Sequence, residues 1–561
     1  MLAIDPITLN IVGKAILAIP REMGANLLRA AYSTVVREAR DCSAALLDRV
    51  GNIIAQAEMI PMHLGGLSHA FQALARKFAL DEVAEDEALM INDPFDGGQH
   101  LQDIYLFTPI FAAGERVGFV ASVAHHLDIG GGSAGLNSLA TEFYQEGIRL
   151  PACKFNVPRD WNGGFVEEFI RANVRVPVKT IGDLNACFAA NYTGRQRLQE
   201  VVAKYGVATT RACMTELIEY AERRTRAEIA GIPDGTYAGE AFVEAEPYSS
   251  ALVPIRASVT VKGSDVHIDF TGSGPQVVGS GNCPYASCHS AAQAALRGVL
   301  GDKTIPFNEG CNRPLTLEVP YGSILNPRPP AAVRARMNAA FRAYNAVMGA
   351  FAQAVPDRVL APGFDTTTIV ALGHLDRERS RYDVVIEVIG GGWGAGPHND
   401  GADGADGPLS NCSNAPVEAL EIDHGFFRVR AYRLRPDSGG AGRQRGGLGF
   451  ERSYEATRDG VTFSGYSDRF KRPAPGLFGG GSGTTGRYEV RRATGEVEEL
   501  KSIAGTTLSR GDVLQAVVGG GGGFGPAAER APEAVAADVR KGKITAEHAR
   551  KVYGWKGDEL G

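Results

Sequence analysis

The segments Gln99–Pro109 (QHLQDIYLFTP) and Val123–Gly132 (VAHHLDIGGG) join apolar runs, suited to buried β-strands, with imidazole and carboxylate groups. Burying such groups without partners is costly, so we expect them to be matched by other polar side chains or by a metal ion. The two segments therefore predict a polar centre beside hydrophobic strands. Its candidate members are His100, Asp103, His125, His126 and Asp128.

The neighbouring sequence predicts β-structure around this centre. Apolar runs at 87–93, 103–112 and 116–126 are typical of strands, and the short turn Ala-Gly-Glu suits an antiparallel pairing of the last two. A further hairpin is expected within 42–57, where the chain would turn about residues 48–52.

Spacing within these runs predicts how the polar side chains point. Because successive strand residues face opposite sides, His125 and His126 should diverge, whereas His126 and Asp128 should share a face. His100 and Asp103 are three residues apart, a spacing that converges in a turn and diverges in a strand. The two glycines before this pair favour a loop at the entry to the strand, and ligands from strand ends and loops would form an open site.

The whole chain is predicted to be of the α+β class, large, mixed and multi-lobed. Helical spacing of apolar residues marks 6–35, where Pro20 predicts a kink or break, and 180–230. Short strands between glycine turns follow from 381 to 517, and Gly542 separates two short helices in the tail. We expect a metal-binding, β-rich lobe with a helical N-terminal segment at 1–235, a middle α/β lobe at 236–380, a glycine-rich β lobe at 381–525 and a short helical C-terminal tail at 526–561.

Composition bounds the function. The chain has 561 residues, a formal net charge of −6 and no basic block, which argues against nucleic acid as a partner. No uncharged apolar run is long enough for a membrane span. The N-terminus lacks a basic region and a cleavage site, so we expect a cytoplasmic protein. Eight scattered cysteines without a Cys-x-x-Cys motif argue against a disulfide framework or a thiolate zinc site.

A metal ion is one of two explanations for the polar centre. Imidazole with carboxylate suits zinc, manganese or iron, and two of each would neutralise a divalent ion and leave room for water. Such an ion lowers the pKa of its water from about 15.7 toward about 7. On spacing alone, hydrogen-bonded core residues explain the pattern equally well, because His-x-x-Asp is a weak motif.

Seven segments of the sequence occur in a characteristic order. They are REMGANLLRAAYSTVVREARDCSAALLD (21–48), INDPFDGGQHLQDIYLFTPIF (91–111), VAHHLDIGGGSAG (123–135), EFYQEGIRLP (142–151), NEGCNRPLTLEVPYGSILNPRPPAAV (308–333), YRLRPDSGGAGRQRGGLGFERSYE (432–455) and PEAVAADVRKGKITAEHARKVYG (532–554). Read together, they resemble the hydantoinase B/oxoprolinase family over nearly the whole chain. This family supplies one subunit of ATP-dependent lactam and hydantoin hydrolases and is related to the acetone and acetophenone carboxylases.

The resemblance implies one metal ion, zinc in some relatives and manganese in others, held by Asp41, His100, Asp103 and His125. It selects His125 from the paired histidines, which spacing alone does not. It also implies a hetero-oligomer, in which a hydantoinase A-like subunit uses ATP to phosphorylate the oxygen of a cyclic amide and the metal-containing subunit hydrolyses the activated intermediate. In keeping with this division, the sequence has no Gly-x-x-x-x-Gly-Lys-Ser/Thr loop, and GGGGGF at 519–524 lacks the lysine and hydroxyl of one.

Further residues are candidates for roles near the metal. His126 and Asp128 would orient a metal ligand. Glu142 and Glu146 would act as general base or contact the substrate, although a solvated surface position explains each equally well. His63 is expected to have a structural role.

Three functions are consistent with the sequence, and the resemblance favours the first. This is the metal-containing subunit of an ATP-dependent hydrolase that opens a hydantoin, lactam or 5-oxoproline ring. The second is a subunit of an ATP-dependent ketone carboxylase of the acetone or acetophenone type, and the third is a non-catalytic scaffold subunit stabilised by its metal. The segment 335–358 lacks the polar start that relatives often carry, so a substrate-lining role there is not expected.

Overall fold

Helices and strands are mixed along the whole chain, which confirms the α+β class. The computed structural model describes residues 4–57 and 59–557, without the side chain of Leu64. Within these ranges, none of the helices combines the length and the apolar character that crossing a bilayer requires.

The first part of the chain forms a six-stranded antiparallel sheet flanked by helices. Its strands are β1 (Cys42–Asp48), β2 (Ile53–Gln56), β3 (Glu87–Ile91), β4 (Asp103–Ala112), β5 (Glu115–His125) and β6 (Cys153–Asn156), in the order β2-β1-β5-β4-β3-β6. Its helices are α1 (Pro6–Ala30), α2 (Thr34–Arg37), α3 (Pro61–Lys77), α4 (Val157–Asp160), α5 (Phe165–Asn173), α6 (Pro177–Tyr205) and α7 (Val207–Ile229). The predicted hairpin at 42–57 and the antiparallel pairing of β4 with β5 are confirmed.

Apolar packing covers both faces of this sheet. On one face α3 places Phe71 edge-on against Phe107 and Phe119, with ring centroids 5.2 and 4.9 Å apart. On the other face α1 packs on β1, and α6 packs on β4 and β5. The central strands are therefore buried on both sides, which removes water from any polar group that they carry.

Of the kink or break predicted at Pro20, the break is wrong, because α1 continues from Pro6 to Ala30. The kink stays a prediction. Pro20 lacks the amide hydrogen that a helix interior requires, at a typical cost of about 3 kcal/mol. It is buried, and the apolar side of the helix packs on α6 along its length. Tertiary packing therefore overrides the local preference, as is usual for helices in proteins.

The middle of the chain forms a second sheet with a long buried helix across it. The strands β7 (Gly235–Glu244), β8 (Leu252–Lys262), β9 (Asp265–Asp269) and β10 (Leu315–Glu318) have the order β10-β9-β8-β7. The helices are α8 (Tyr285–Val299), α9 (Glu309–Asn312) and α10 (Arg336–Ala354). Helix α10 approaches β7 closely at Gly239, where a Cβ would lie 1.9 Å from the Ala346 carbonyl oxygen.

Two further sheets and the tail complete the fold. Their strands are β11 (Thr368–Asp376), β12 (Arg381–Ile389), β13 (Phe427–Leu434), β14 (Phe450–Ala456), β15 (Val461–Tyr466), β16 (Arg487–Arg491), β17 (Val497–Leu500), β18 (Ile503–Leu508) and β19 (Val513–Val517). The strand orders are β12-β11-β15-β18 and β13-β14-β19-β16-β17. The helices are α11 (Val417–Asp423), α12 (Pro532–Arg540) and α13 (Ala546–Tyr553), and single 3₁₀ turns lie at Leu80–Glu82, Phe143–Gln145 and Ala527–Glu529. The hairpin β11–β12 spans residue 380, where the sequence analysis places a boundary between lobes. The predicted lobe boundaries stay predictions.

A layer of glycine-rich backbone lies beside these two sheets. Its segments hydrogen-bond to one another outside the regular strands: the Gly392 amide donates to the Gly519 carbonyl at 3.0 Å, and the Gly521 amide donates to the Gly447 carbonyl at 3.0 Å. A Cβ at Gly521 would lie 2.0 Å from the Trp393 carbonyl oxygen. The glycines therefore act by allowing backbones to pack against backbones, in addition to forming the turns that the sequence predicts.

Replacing Gly521 by alanine tests this packing. We expect Gly521→Ala to lower the midpoint of thermal unfolding, because relieving the overlap with Trp393 costs about 1–3 kcal/mol. The matched control is Gly425→Ala, since a Cβ at Gly425 meets no atom within 4 Å. Equal midpoints for the two variants would contradict the close-packed layer.

Candidate metal centre

The register of the first sheet places three polar residues at one end. Asp103, the first residue of β4, lies directly opposite His125, the last residue of β5. The His125 amide donates to the carbonyl of Asp41 at 3.0 Å, just before β1 begins. The strand pairing therefore aligns residues that are more than 80 positions apart in sequence.

Two histidines reach the same place from turns. His100 lies in the predicted loop at the entry to β4, where the Asp103 amide donates to its carbonyl at 3.2 Å. This loop needs Gly97, which has a φ of +93° and whose Cβ would lie 2.4 Å from the carbonyl oxygen of His69. His63 comes from the first turn of α3, and its amide donates to the Ile60 carbonyl at 3.0 Å.

The side chains of four of these residues form a closed ring of donor atoms. Asp41 Oδ1 lies 3.5 Å from His63 Nε2, which lies 3.5 Å from Asp103 Oδ1. His125 Nδ1 lies 3.6 Å from Asp103 Oδ1 and 3.6 Å from Asp41 Oδ2. These separations exceed ordinary hydrogen-bond lengths, so the four side chains face one another without bonding directly.

His100 belongs to the same cluster with a different contact. Its Nδ1 lies 2.9 Å from Asp103 Oδ2, and donor atoms of His100, Asp103 and His125 all lie within 4.8 Å of one another. The structure therefore groups three of the four predicted ligands and places Asp41 beside His125, while the ligand set itself stays a prediction. The sequence predicts a structural role for His63. Its Nε2 nevertheless faces the carboxylates of Asp41 and Asp103, as that of a metal ligand would.

Burial and charge set the protonation of the cluster. Burial lowers the pKa of His125, and burial together with Arg336 lowers the pKa of His100 well below its usual value. Burial alone would raise the pKa of Asp103, but His100, His63 and Arg336 together hold it well below its usual value. Neutral imidazoles and ionised carboxylates are the forms that bind metal ions.

One buried atom points directly to a missing partner. Asp103 is fully buried, and its Oδ1 accepts no hydrogen bond within residues 4–57 and 59–557. Although Arg336 pairs with the other oxygen of Asp103, leaving this buried oxygen without a partner is costly, and a metal ion would satisfy it. The donor set thus fits a divalent ion such as zinc or manganese.

Two arginines that sequence reasoning missed flank the centre. Arg336, the first residue of α10, donates from Nη2 to Asp103 Oδ2 at 2.8 Å. Arg334 is fully buried, and its Nη2 lies 3.2 Å from Nε2 of His125. Both belong to or adjoin the segment in which no substrate-lining role was expected, and no motif in the sequence marked them.

The two predicted acid–base candidates differ in position. Glu146 is buried, and its Oε1 accepts from the amides of Val333 at 2.9 Å and Arg334 at 2.8 Å. Burial raises the pKa of Glu146 to about 8, so its carboxyl is mostly protonated at neutral pH. Glu142 is half-buried at the start of a single 3₁₀ turn. Its role as base or substrate contact stays a prediction.

The prediction that His126 and Asp128 share a strand face is wrong, because β5 ends at His125. The carboxylate of Asp128 instead accepts from the amides of Gly130, Gly135 and Arg175. These contacts fix the loop after the strand. His126 is fully buried, and burial lowers its pKa to about 3. Their predicted role in orienting a metal ligand stays a prediction.

A loop from the C-terminal half holds two of the ligand segments. The Ser413 amide donates to the carbonyl of Ala39 at 3.0 Å, two residues before Asp41. Leu409 accepts from the amide of Met62 at 2.9 Å, next to His63. The centre is therefore assembled by the first sheet and clamped by a distant part of the chain.

Known proteins match this chain over nearly its whole length. The family model for hydantoinase B/oxoprolinase matches residues 5–527. The chain is 33% identical over 577 residues to caprolactamase subunit beta of Pseudomonas jessenii, covering 99% of this chain and 96% of the relative. It is 30% identical over 553 residues to 5-oxoprolinase 1 of Arabidopsis thaliana, covering 93% of this chain and 42% of the relative.

Solved structures show the same fold. The crystal structure of the ATP-dependent caprolactamase from Pseudomonas jessenii has a TM-score of 0.92 at 32% identity, covering 100% of this chain and 98% of that chain. A nucleotide-free structure of acetone carboxylase has a TM-score of 0.87 at 20% identity, covering 98% and 79%, which shows a shared fold. The predicted resemblance is confirmed, and the chain belongs to the hydantoinase B/oxoprolinase family.

Proposed function

We propose that this chain is the metal-containing subunit of an ATP-dependent hydrolase that opens a cyclic amide of the hydantoin, lactam or 5-oxoproline class. The observation that carries the proposal is the buried cluster of His100, Asp103 and His125, whose donor atoms all lie within 4.8 Å of one another, with Asp41 and His63 beside it. The caprolactamase relative, which acts on a lactam by name, supports the substrate class.

The side chains supply what a hydrolytic metal site requires. Asp41, His100, Asp103 and His125 would hold zinc or manganese, with His63 as a further ligand. When bound there, a divalent ion supplies a water molecule whose pKa is lowered toward about 7. The helices on both faces of the sheet exclude bulk water from the ligands, and Arg336 fixes Asp103 so that Oδ1 faces the ring.

A partner subunit would supply the energy of ATP. Amide carbonyls resist attack by water, and a phosphoryl group on the amide oxygen would turn that oxygen into a leaving group. This chain has no phosphate-binding loop of the Gly-x-x-x-x-Gly-Lys-Ser/Thr type. The caprolactamase relative is named as a subunit, and more than half of the 5-oxoprolinase relative lies outside the match, which supports a hydantoinase A-like partner.

Metal content tests the ligands directly. Purified wild-type chain should contain about one divalent ion, whereas His100→Ala and His125→Ala should each lose most of it, because removing one imidazole leaves the carboxylates without a complete site. His63→Ala should lower the metal content or affinity if His63 is a ligand. Elemental analysis after dialysis measures all variants.

The control for these variants is His424→Ala. His424 is also fully buried, but it pairs with Asp383, outside the ring. We expect this variant to keep the wild-type metal content. Loss of metal in His100→Ala but not in His424→Ala would then reflect the site and not the removal of a buried imidazole. Full ring-opening activity in a metal-free variant would exclude the proposed role.

Assays of the assembled complex separate the three functions. We expect the chain with its hydantoinase A-like partner to hydrolyse a lactam or hydantoin only with ATP, and to lose this activity in His125→Ala complexes that still assemble. Bicarbonate-dependent carboxylation of a ketone without amide hydrolysis would establish the carboxylase alternative. If assembled complexes of the metal-ligand variants hydrolyse the substrate fully, the metal is not catalytic, and a scaffold role remains for this chain.

A further inference from the structure

The side chain of Arg334 is a buried cation with unused hydrogen-bond donors. It is fully buried at the centre, and its Nε and Nη1 atoms have no hydrogen-bond partner in the described parts of the chain. No carboxylate of those parts lies within ion-pair distance of it, in contrast to Arg336, which pairs with Asp103. A guanidinium in this state is expensive to bury, so the fold holds it for a ligand that is not part of the chain.

Its one contact is incompatible with metal binding at Nδ1 of His125. Arginine only donates hydrogen bonds, so His125 must accept at Nε2 and carry its proton on Nδ1. Yet Nδ1 is the atom that faces Asp41 and Asp103 in the ring. A metal ion on Nδ1 would leave the proton on Nε2, and the contact with Arg334 would be lost. With an ion on Nδ1, the side-chain donors of Arg334 would therefore need another acceptor.

The backbone at Arg334 is held in place from the other side. The amides of Val333 and Arg334 both donate to Oε1 of Glu146. Two residues later, Arg336 is fixed by its bond to Asp103. The segment between is anchored at both ends, so the guanidinium is presented to the centre by a rigid support and not by a free loop.

We propose that Arg334 is the receptor for an oxyanion of the reacting molecule, bound beside the metal ligands. This proposal rests on the proposed function and deepens it. A planar guanidinium with parallel donors matches two oxygens of a phosphoryl or carboxylate group, and such charge-assisted pairs are the strong ones in a site without water. An activated amide would present a phosphoryl group, and the ring-opened product presents a carboxylate.

Titration of the metal-loaded full chain with inorganic phosphate and with acetate tests the proposal. We expect the wild-type chain to bind at least one of them at a single site by calorimetry. Arg334→Met should weaken that binding about tenfold or more, and Arg334→Lys should be intermediate because it keeps the charge without the fork. If phosphate binds more tightly than acetate, the ligand of Arg334 is the phosphoryl group of the activated amide. If acetate binds more tightly, it is the carboxylate of the ring-opened product.

The matched control is Arg452→Met, which removes another fully buried arginine that pairs with Glu387. It should bind the anions as the wild type does. Metal content and the thermal midpoint are measured for each variant, and Arg334→Lys serves if Arg334→Met does not fold. Anion binding that is absent from the loaded wild type, or equal in wild type and Arg334 variants, overturns the proposal.

The two proposals fail in different ways. If the complex hydrolyses a cyclic amide but anion binding is indifferent to Arg334, this inference alone is wrong. If Arg334 governs anion binding but the complex hydrolyses no cyclic amide, the proposed function alone is wrong.

Discussion

The antiparallel register of β1, β5 and β4 is the constraint on which the centre depends. It sets Asp103 opposite His125 and joins the His125 amide to the carbonyl of Asp41. A shift of one residue would turn these side chains to the opposite face of the sheet. Because helices cover both faces with apolar side chains, the register is fixed by the hydrophobic core, and the core thereby determines where the acids and imidazoles meet.

The C-terminal glycine layer acts on the same centre through the backbone. The loop that contacts the ligand segments spans residues 402–413. The amide of Gly447 donates to the carbonyl of Trp393, and the amide of Trp393 donates to the carbonyl of Ala402, which anchors the start of this loop. That loop ends at Ser413, bonded to Ala39 next to the first ligand. Close packing of glycine backbones thus gives a distant loop the rigidity that a preorganised site requires.

The sequence predicted most of the local structure and part of the site. Strand alternation and the loop before His100 were readable because they depend on neighbours in the chain. Strand alternation gave a wrong prediction for His126 and Asp128, because the strand ends at His125 and the following loop is fixed by contacts such as that of Asp128 with Arg175. The positions of His63 and Arg334 could not be read, since each reaches the centre through packing between elements far apart in sequence.

Charge balance explains why two arginines accompany the ligands. Asp41 and Asp103 bring two negative charges to the centre, which Arg334 and Arg336 already match, while burial raises the pKa of Glu146 to about 8 and leaves it mostly neutral. A divalent ion would add two positive charges that no further carboxylate of the ring offsets. In a region of low dielectric constant that excess favours an anion beside the metal. Metal and anion should therefore strengthen each other's binding, which couples occupation of the centre to arrival of the charged, activated substrate.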